Sequence, residues 1–144
     1  VLDQLEGGRS APEADAALHR PLPRIAEGLV AATAGATAML DLSDGLAVDL
    51  PRLAKASGVG ITLEVVPVAE GATETEAVGG GDDYELCFTA GNAMRERIAA
   101  VARELGLPLT RVGKITAARE LVVRDERGAL LAALPRAFDH FAPA

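Results

Sequence analysis

Residues 39–50 read M-L-D-L-S-D-G-L-A-V-D-L and carry three structural signals in one short stretch. Residues 37–42 are apolar and bounded by turn formers, which predicts a buried strand. The S-D-G turn follows at once. Apolar residues then recur at helical spacing up to Gly58: Leu46, Leu50, Leu53 and Ala54. The stretch therefore predicts a strand, a tight turn and a helix. Because proline lacks an amide hydrogen and clashes with the preceding turn, we expect a kink or a new helix start at Pro51.

The sequence on either side of this unit predicts further helices and strands. The predicted helices lie at residues 13–19, 24–32 and 92–105, the second ending at Gly35 and the third at Gly106. The third has an apolar stripe expected to be buried: Met94, Ile98, Val101 and Leu105. The predicted strands lie at residues 60–66, 84–89, 109–115, 120–124 and 129–133, with a hairpin turn at 125–128. Residues 69–81 are acidic and glycine-rich, which favours a loop. Because helices and strands do not alternate strictly, the expected fold class is α+β, a mixed β-sheet with packed helices.

Length and composition indicate one globular domain. The chain has 144 residues, of which 49% are hydrophobic and only 3% aromatic, with no Trp. Its core should therefore consist of Ala, Leu and Val. Residues 1–18 are interpreted as a linker or the edge of a missing N-terminal domain, and residues 19–144 as the domain itself.

Charge and cysteine content exclude several functions. The formal net charge is −7, and Lys and Arg are scattered, so nucleic acid is not an expected partner. No apolar run approaches the roughly 20 residues that cross a bilayer, so no membrane association is expected. Cys87 is the single cysteine, which precludes an internal disulfide and favours a cytoplasmic location. We interpret it as a small buried apolar residue.

The first candidate site is D-L-S-D-G, residues 41–45. It places Asp41 at a strand end, Ser43 in the turn and Asp44 near a helix start, where exposed N–H groups attract phosphate. Two carboxylates three residues apart can hold Mg²⁺ while substrate phosphates complete the octahedron. In the structural alternative, Asp44 is only a helix N-cap and Asp41 a solvated strand end. Spacing by itself favours that alternative.

The second candidate site is G-G-G-D-D-Y-E-L, residues 79–86. Three glycines permit close approach of the backbone to a ligand. Strand alternation predicts that Asp82 and Asp83 point to opposite faces and that Glu85 lies on the face of Asp83. The alternative is a solvated acidic loop. The run does not resemble a Walker loop, since no Lys-Ser or Lys-Thr follows the glycines.

Together these segments resemble the C-terminal domain of thiamine-monophosphate kinase, in the superfamily that also contains aminoimidazole ribonucleotide synthetase. The resemblance covers residues 19–142. Its blocks are, in order, H-R-P-L-P-R-I-A-E-G, M-L-D-L-S-D-G-L-A-V-D-L, A-S-G-V-G-I-T-L, G-G-D-D-Y-E-L-C-F-T, V-G-K-I-T and F-D-H-F-A. Several matching blocks in the right order are far more specific than any one of them.

The resemblance implies transfer of a phosphoryl group from ATP to thiamine monophosphate, giving thiamine diphosphate and ADP. It implies that Asp41 and Asp44 are magnesium ligands and that Ser43 contacts ATP. It also places Asp82 and Phe138 at the thiamine monophosphate site. The family commonly has Glu at the position of Asp82, so a bridging water is an alternative to direct contact. It often has Tyr or Trp where Phe138 stands.

The resemblance also implies that a preceding domain supplies further metal ligands, much of the nucleotide site and a homodimer interface. The chain is therefore expected to be inactive alone. The sequence leaves two alternative functions open. One is a non-catalytic nucleotide- or metal-binding module that shares only the fold, and the other is a different ATP-using member of the superfamily.

Overall fold

The structure is a computed structural model that describes residues 19–69, 71–124 and 129–130. Its helices are α1 (Ile25–Ala34), α2 (Leu46–Ser57), α3 (Glu74–Gly79) and α4 (Arg95–Glu104), the last preceded by a 3₁₀ turn, Asn92–Met94. Its strands are β1 (Ala36–Asp41), β2 (Gly60–Leu63), β3 (Leu86–Ala90), β4 (Gly113–Thr116) and β5 (Leu121–Val123). The α+β class is thus confirmed. No helix among these residues is long and apolar enough to cross a membrane.

The strands form two hydrogen-bonded groups. β1 and β3 pair as an antiparallel ribbon, with Asp41 opposite Leu86 at one end. In the second group β2 is central, antiparallel to β4 and parallel to β5. The predicted mixture of strand directions is therefore present in this second sheet. Helix α2 packs against β1, β2 and β5, so it lies between the ribbon and the sheet.

The core lies where α2 meets both groups of strands. Its buried members are almost entirely aliphatic, as the low aromatic content predicts: Leu42, Leu46, Leu50, Ala54, Ile61, Leu63 and Val123. All four residues of β2 are buried, which explains the near-continuous apolar character of this central strand. Cys87 is half-buried against this core, and burial raises the pKa of its thiol.

Helix α2 follows the predicted apolar pattern. It runs without a new start through Pro51 and ends at Gly58, whose left-handed conformation (φ 67°) caps the last carbonyls. Proline removes one backbone hydrogen bond there. Burial of Leu46, Leu50 and Ala54 on the same helix offsets that loss.

The loop prediction for residues 69–81 is wrong, because it contains α3. Thr73 caps this helix: its side chain accepts a hydrogen bond from the Glu76 N–H at 3.2 Å, while the Glu76 carboxylate accepts one from the Thr73 N–H. T-x-x-E is a capping-box signature that the acidic, glycine-rich composition obscured. Val78, only 2% exposed, is the buried anchor of the helix.

Other predicted elements are shorter or less buried than expected. The strand predicted at 109–115 is reduced to β4, and that at 84–89 begins only at Leu86. No residue of α4 is fully buried, and Leu105 is 52% exposed, so its predicted stripe is only partly covered. Arg124 forms an isolated antiparallel bridge with Leu130, where a hairpin was predicted. Residues 13–18, the turn at 125–128, residues 131–133 and Phe138 lie outside the described residues.

Leu63 provides the test of this core. It is 1% exposed in the middle of the cluster, so Leu63→Ala should lower the free energy of unfolding by about 2–5 kcal/mol, measured by urea denaturation. Leu105→Ala is the matched control and should cost under about 0.5 kcal/mol, because this leucine is half exposed. Equal losses in the two variants would contradict the assigned core.

Candidate functional site

Main-chain hydrogen bonds hold the two candidate loops against each other. The Asp82 N–H donates to the Ser43 carbonyl at 2.8 Å, and the Tyr84 N–H donates to the Leu42 carbonyl at 2.8 Å. In return, the Leu42 N–H donates to the Glu85 carbonyl at 2.9 Å. These bonds continue the β1–β3 pairing into the turn. Two segments that lie 40 residues apart in the sequence thus form one site.

Glycines make this close approach possible. Gly45 has φ 94° and ψ 160°, a conformation that is essentially restricted to glycine. A Cβ atom there would lie 2.3 Å from the Gly80 carbonyl oxygen. A Cβ atom on Gly81 would lie 2.6 Å from the Ser43 carbonyl oxygen. The glycine run predicted to allow approach of a ligand therefore first allows approach of the other loop.

Carboxylates of both loops act on the hydroxyl of Tyr84. Asp41 is exposed at the end of β1, while the neighbouring Leu42 is buried and fixes the strand end in the core. The Tyr84 hydroxyl donates to Asp82 Oδ1 at 3.0 Å. That hydrogen bond is the main cause that raises the pKa of Tyr84, and the negative charges of Asp82, Asp41 and Asp44 raise it further. The site is thus an acidic surface assembled from both loops.

Strand alternation does not extend through this loop. Asp82 and Tyr84 both have positive φ, 63° and 52°, and the strand begins only at Leu86. The strand alternation from which the directions of Asp82, Asp83 and Glu85 were predicted is therefore absent here. The pKa of Asp83 is raised by partial burial and by the negative charges of Glu85 and Asp82. Non-glycine residues in the left-handed region are a form of backbone strain that is common at functional sites.

Two further residues support Asp44, and sequence reasoning had not placed them in the site. Asp49 in α2 accepts the Asp44 N–H on Oδ2 at 2.9 Å, and its side chain is only 4% exposed. Arg52 donates from Nη1 to Asp49 Oδ1 at 3.0 Å and to Asp44 Oδ2 at 2.5 Å. Hydrogen bonding to Asp44 is the largest effect that raises the pKa of Arg52. Helical spacing contained a signal for Asp49, which lies three residues after Leu46 and four before Leu53, on the buried face.

Asp44 is not the helix N-cap of the structural alternative. Gly45 occupies the N-cap position and makes no side-chain cap. The Asp44 carboxylate instead contacts Arg52 through Oδ2 and accepts the Ser43 hydroxyl on Oδ1 at 3.1 Å. Its side chain is 43% exposed.

The donor set is compatible with a hard divalent cation but incomplete. Asp41 and Asp44 offer carboxylate oxygens and Ser43 a hydroxyl oxygen, the donors that Mg²⁺ prefers. Within the described part of the chain, no three His, Cys, Asp or Glu side chains are close enough to hold a metal ion. A cation here would therefore complete its coordination with water, with oxygens of a phosphate ligand or with oxygens from another part of the protein.

A pocket opens beside Asp41. Its volume is about 490 Å³, and its wall is largely apolar but includes Asp41 and Tyr84. The remaining contacts include Leu22, Ile25 and Met39, of which Leu22 and Ile25 are both 70% exposed. The site thus joins an acidic rim to an apolar surface. Of the residues predicted from the sequence, Ser43, Asp44 and Asp82 are joined directly and Asp41 flanks them.

This fold and site define the C-terminal domain of the AIR synthase type. The family model described as "AIR synthase related protein, C-terminal domain" matches residues 2–126, and the chain belongs to this family.

The proteins to which the chain is similar include thiamine-monophosphate kinases. The chain is 38% identical over 135 residues to the enzyme of Salmonella typhimurium, covering 85% of this chain and 41% of that one. The solved thiamine-monophosphate kinase of Stenotrophomonas maltophilia K279a superposes with a TM-score of 0.74 at 34% identity, covering 89% of this chain and 46% of that one. A further structure, AaThiL complexed with AMPPCP and TMP, has a TM-score of 0.72 at 26% identity and covers 97% of this chain and 46% of that one. The chain thus spans less than half the length of these relatives.

Proposed function

We propose that this chain is the C-terminal half of a thiamine-monophosphate kinase that uses ATP and magnesium. The observation that carries the proposal is the set of three main-chain hydrogen bonds between the loops, which we call the clamp. It brings Ser43 and Asp44 of one loop to Asp82 of the other. Similarity to thiamine-monophosphate kinases, including AaThiL complexed with AMPPCP and TMP, supports the substrates. AMPPCP is an ATP analogue.

The residues divide between the two substrates. Asp41 and Asp44 are proposed to hold Mg²⁺, which when bound would neutralise the phosphate oxygens of ATP. Ser43, whose hydroxyl now contacts Asp44, is proposed to turn to a nucleotide phosphate. Asp82, oriented by the Tyr84 hydroxyl, is proposed to bind thiamine monophosphate directly or through water. Phe138, outside the described residues, is proposed to pack on the thiamine.

The chemistry needs alignment more than a protein nucleophile. An oxygen of the monophosphate forms a bond to the terminal phosphorus of ATP, and the bond from that phosphorus to the bridging oxygen breaks, which releases ADP. Fixed main-chain geometry at both loops suits this role, because direct phosphoryl transfer depends on positioning and neutralisation of charge.

Further proposals concern the domains and the oligomeric state of the whole protein. Residues 1–18 are proposed to link this domain, residues 19–144, to an N-terminal domain that supplies further metal ligands. The complete enzyme is proposed to be a cytoplasmic homodimer. The chain covers only 41% and 46% of the length of two of its relatives, which supports a second domain. Size-exclusion chromatography with light scattering on the full-length gene product tests the dimer.

The test of the function is conversion of thiamine monophosphate to thiamine diphosphate by the full-length gene product. Turnover should require ATP and Mg²⁺, with thiamine as the control substrate giving none. Absence of turnover by a folded, metal-loaded protein would overturn the proposal.

The 144-residue chain should show negligible turnover in the same assay. The reason is the incomplete donor set, which leaves the metal and nucleotide without the ligands that a second domain would supply. A chain that turns over at a rate comparable to the full-length product would contradict the division of the site between two domains.

A further inference from the structure

Asp44, Asp49 and Arg52 form a closed set of contacts behind the proposed metal ligand. Asp49 uses both of its oxygens: Oδ2 accepts the Asp44 N–H and Oδ1 accepts Arg52. Arg52 completes the set through Asp44 Oδ2. Two of the three contacts therefore end on Asp44, one at its main-chain N–H and one at its carboxylate.

The three residues differ sharply in exposure. The Asp49 side chain is 4% exposed, whereas those of Asp44 and Arg52 are 43% and 61% exposed. A buried carboxylate with both oxygens bonded is fixed in place, because loss of either partner would leave a buried charge uncompensated. An exposed ion pair is weak and can be exchanged for another cation at little cost. The set thus has a fixed end at Asp49 and an exchangeable end at the Asp44–Arg52 contact.

We propose that Asp49 is a positioning residue for Asp44 and that Arg52 is its resident counter-charge, which leaves Asp44 when a divalent cation binds. Arg52 retains its bond to Asp49 and so stays beside the site. The inference rests on the proposed function, since it takes Asp44 as a metal ligand. Arg52 therefore competes with the metal, while Asp49 supports it by holding the Asp44 peptide.

The two roles predict opposite effects on metal affinity. Arg52→Gln removes the competitor, so the full-length gene product should bind Mn²⁺ about two- to fivefold more tightly, the range of an exposed ion pair. Arg52→Lys keeps the charge and should stay close to the parent. Asp49→Ala should weaken Mn²⁺ binding about 10- to 100-fold, as loss of an outer-shell partner does. Asp49→Asn keeps an acceptor for the Asp44 N–H and should recover part of that loss.

The experiment is a titration of Mn²⁺ alone, without nucleotide, followed by electron paramagnetic resonance of the free ion. Arg111→Gln is the matched control, because it removes an exposed arginine paired with Glu64 at 3.6 Å, outside the site, and should leave the affinity unchanged. Circular dichroism melting confirms that each variant is folded. Arg52→Lys and Arg52→Gln each keep an N–H that can donate to Asp49, so the Arg52 series remains informative even if Asp49→Ala fails to fold.

The outcomes separate this inference from the proposed function. If Asp44→Asn abolishes Mn²⁺ binding and Arg52→Gln leaves it unchanged or weaker, the counter-charge role is overturned while Asp44 remains a ligand. If Asp44→Asn leaves Mn²⁺ binding intact, Asp44 is not a ligand, and both the metal assignment and this inference fail. Tighter binding in Arg52→Gln, with no change in Arg111→Gln, supports the inference.

Discussion

Asp44→Asn should lower kcat/KM of the full-length gene product at least about 100-fold. Removal of a residue that hydrogen-bonds to a metal ligand lowers metal affinity or activity about 10- to 100-fold. Removal of the ligand itself should lower activity by at least as much. Asparagine keeps the size of the side chain but removes the charge that pairs with Arg52 and that would hold the cation. The rate of thiamine diphosphate formation at saturating Mg²⁺ and ATP is the measurement.

Asp83→Asn is the control for this change. Asp83 is an exposed acidic residue of the second loop that has no assigned role. The rate of the Asp83→Asn variant should stay within about threefold of the parent rate, because a surface substitution changes the free energy by about 0.5 kcal/mol. If both variants lose activity equally, the effect would be one of total negative charge and not of a ligand at position 44.

Gly45→Ala should destabilise the domain by about 2–6 kcal/mol. Two costs add. Alanine would have to adopt dihedral angles that residues other than glycine rarely adopt, and its Cβ would overlap the Gly80 carbonyl oxygen, 2.3 Å away. The overlap involves backbone on both sides, so neither loop can yield by rotating a side chain. Urea denaturation of the chain measures the loss.

Gly58→Ala separates these two costs. Gly58 also has positive φ, 67°, but nothing lies within 4 Å of an added Cβ. Only the conformational cost remains, about 1–2 kcal/mol. A Gly45→Ala variant no less stable than Gly58→Ala would show that the two loops do not approach as closely as described.

Periodicity predicted the parts of the fold that depend on one segment at a time. The α+β class, α1, α2 and the left-handed glycines that end both helices follow from apolar spacing and helix stop signals. Strand lengths and the exposure of α4 did not follow, because both depend on which surfaces meet in three dimensions. Leu105 has the spacing of a buried residue, yet the described elements leave it half exposed.

The sequence proposes members of the candidate site but not their connections. Motif similarity proposes Asp41, Ser43, Asp44 and Asp82. It gave no sign that Ser43 and Asp82 are joined through the main chain, since a carbonyl contact leaves no trace in residue type. Asp49 was missed because an acidic residue in a helix is normally interpreted as solvent-facing, and Tyr84 was assigned to a strand that begins two residues later.

The clamp between the two loops consists of backbone atoms, and this has a consequence for how the domain can diversify. Side chains at positions 43, 44, 82 and 84 contribute nothing to the three hydrogen bonds that join the loops. Substitutions at positions 43 and 44 can therefore accumulate without separating the loops, whereas Gly45 and Gly81 tolerate almost none. Evolution can exchange those side chains while the frame persists, so that one inherited architecture can carry different sites.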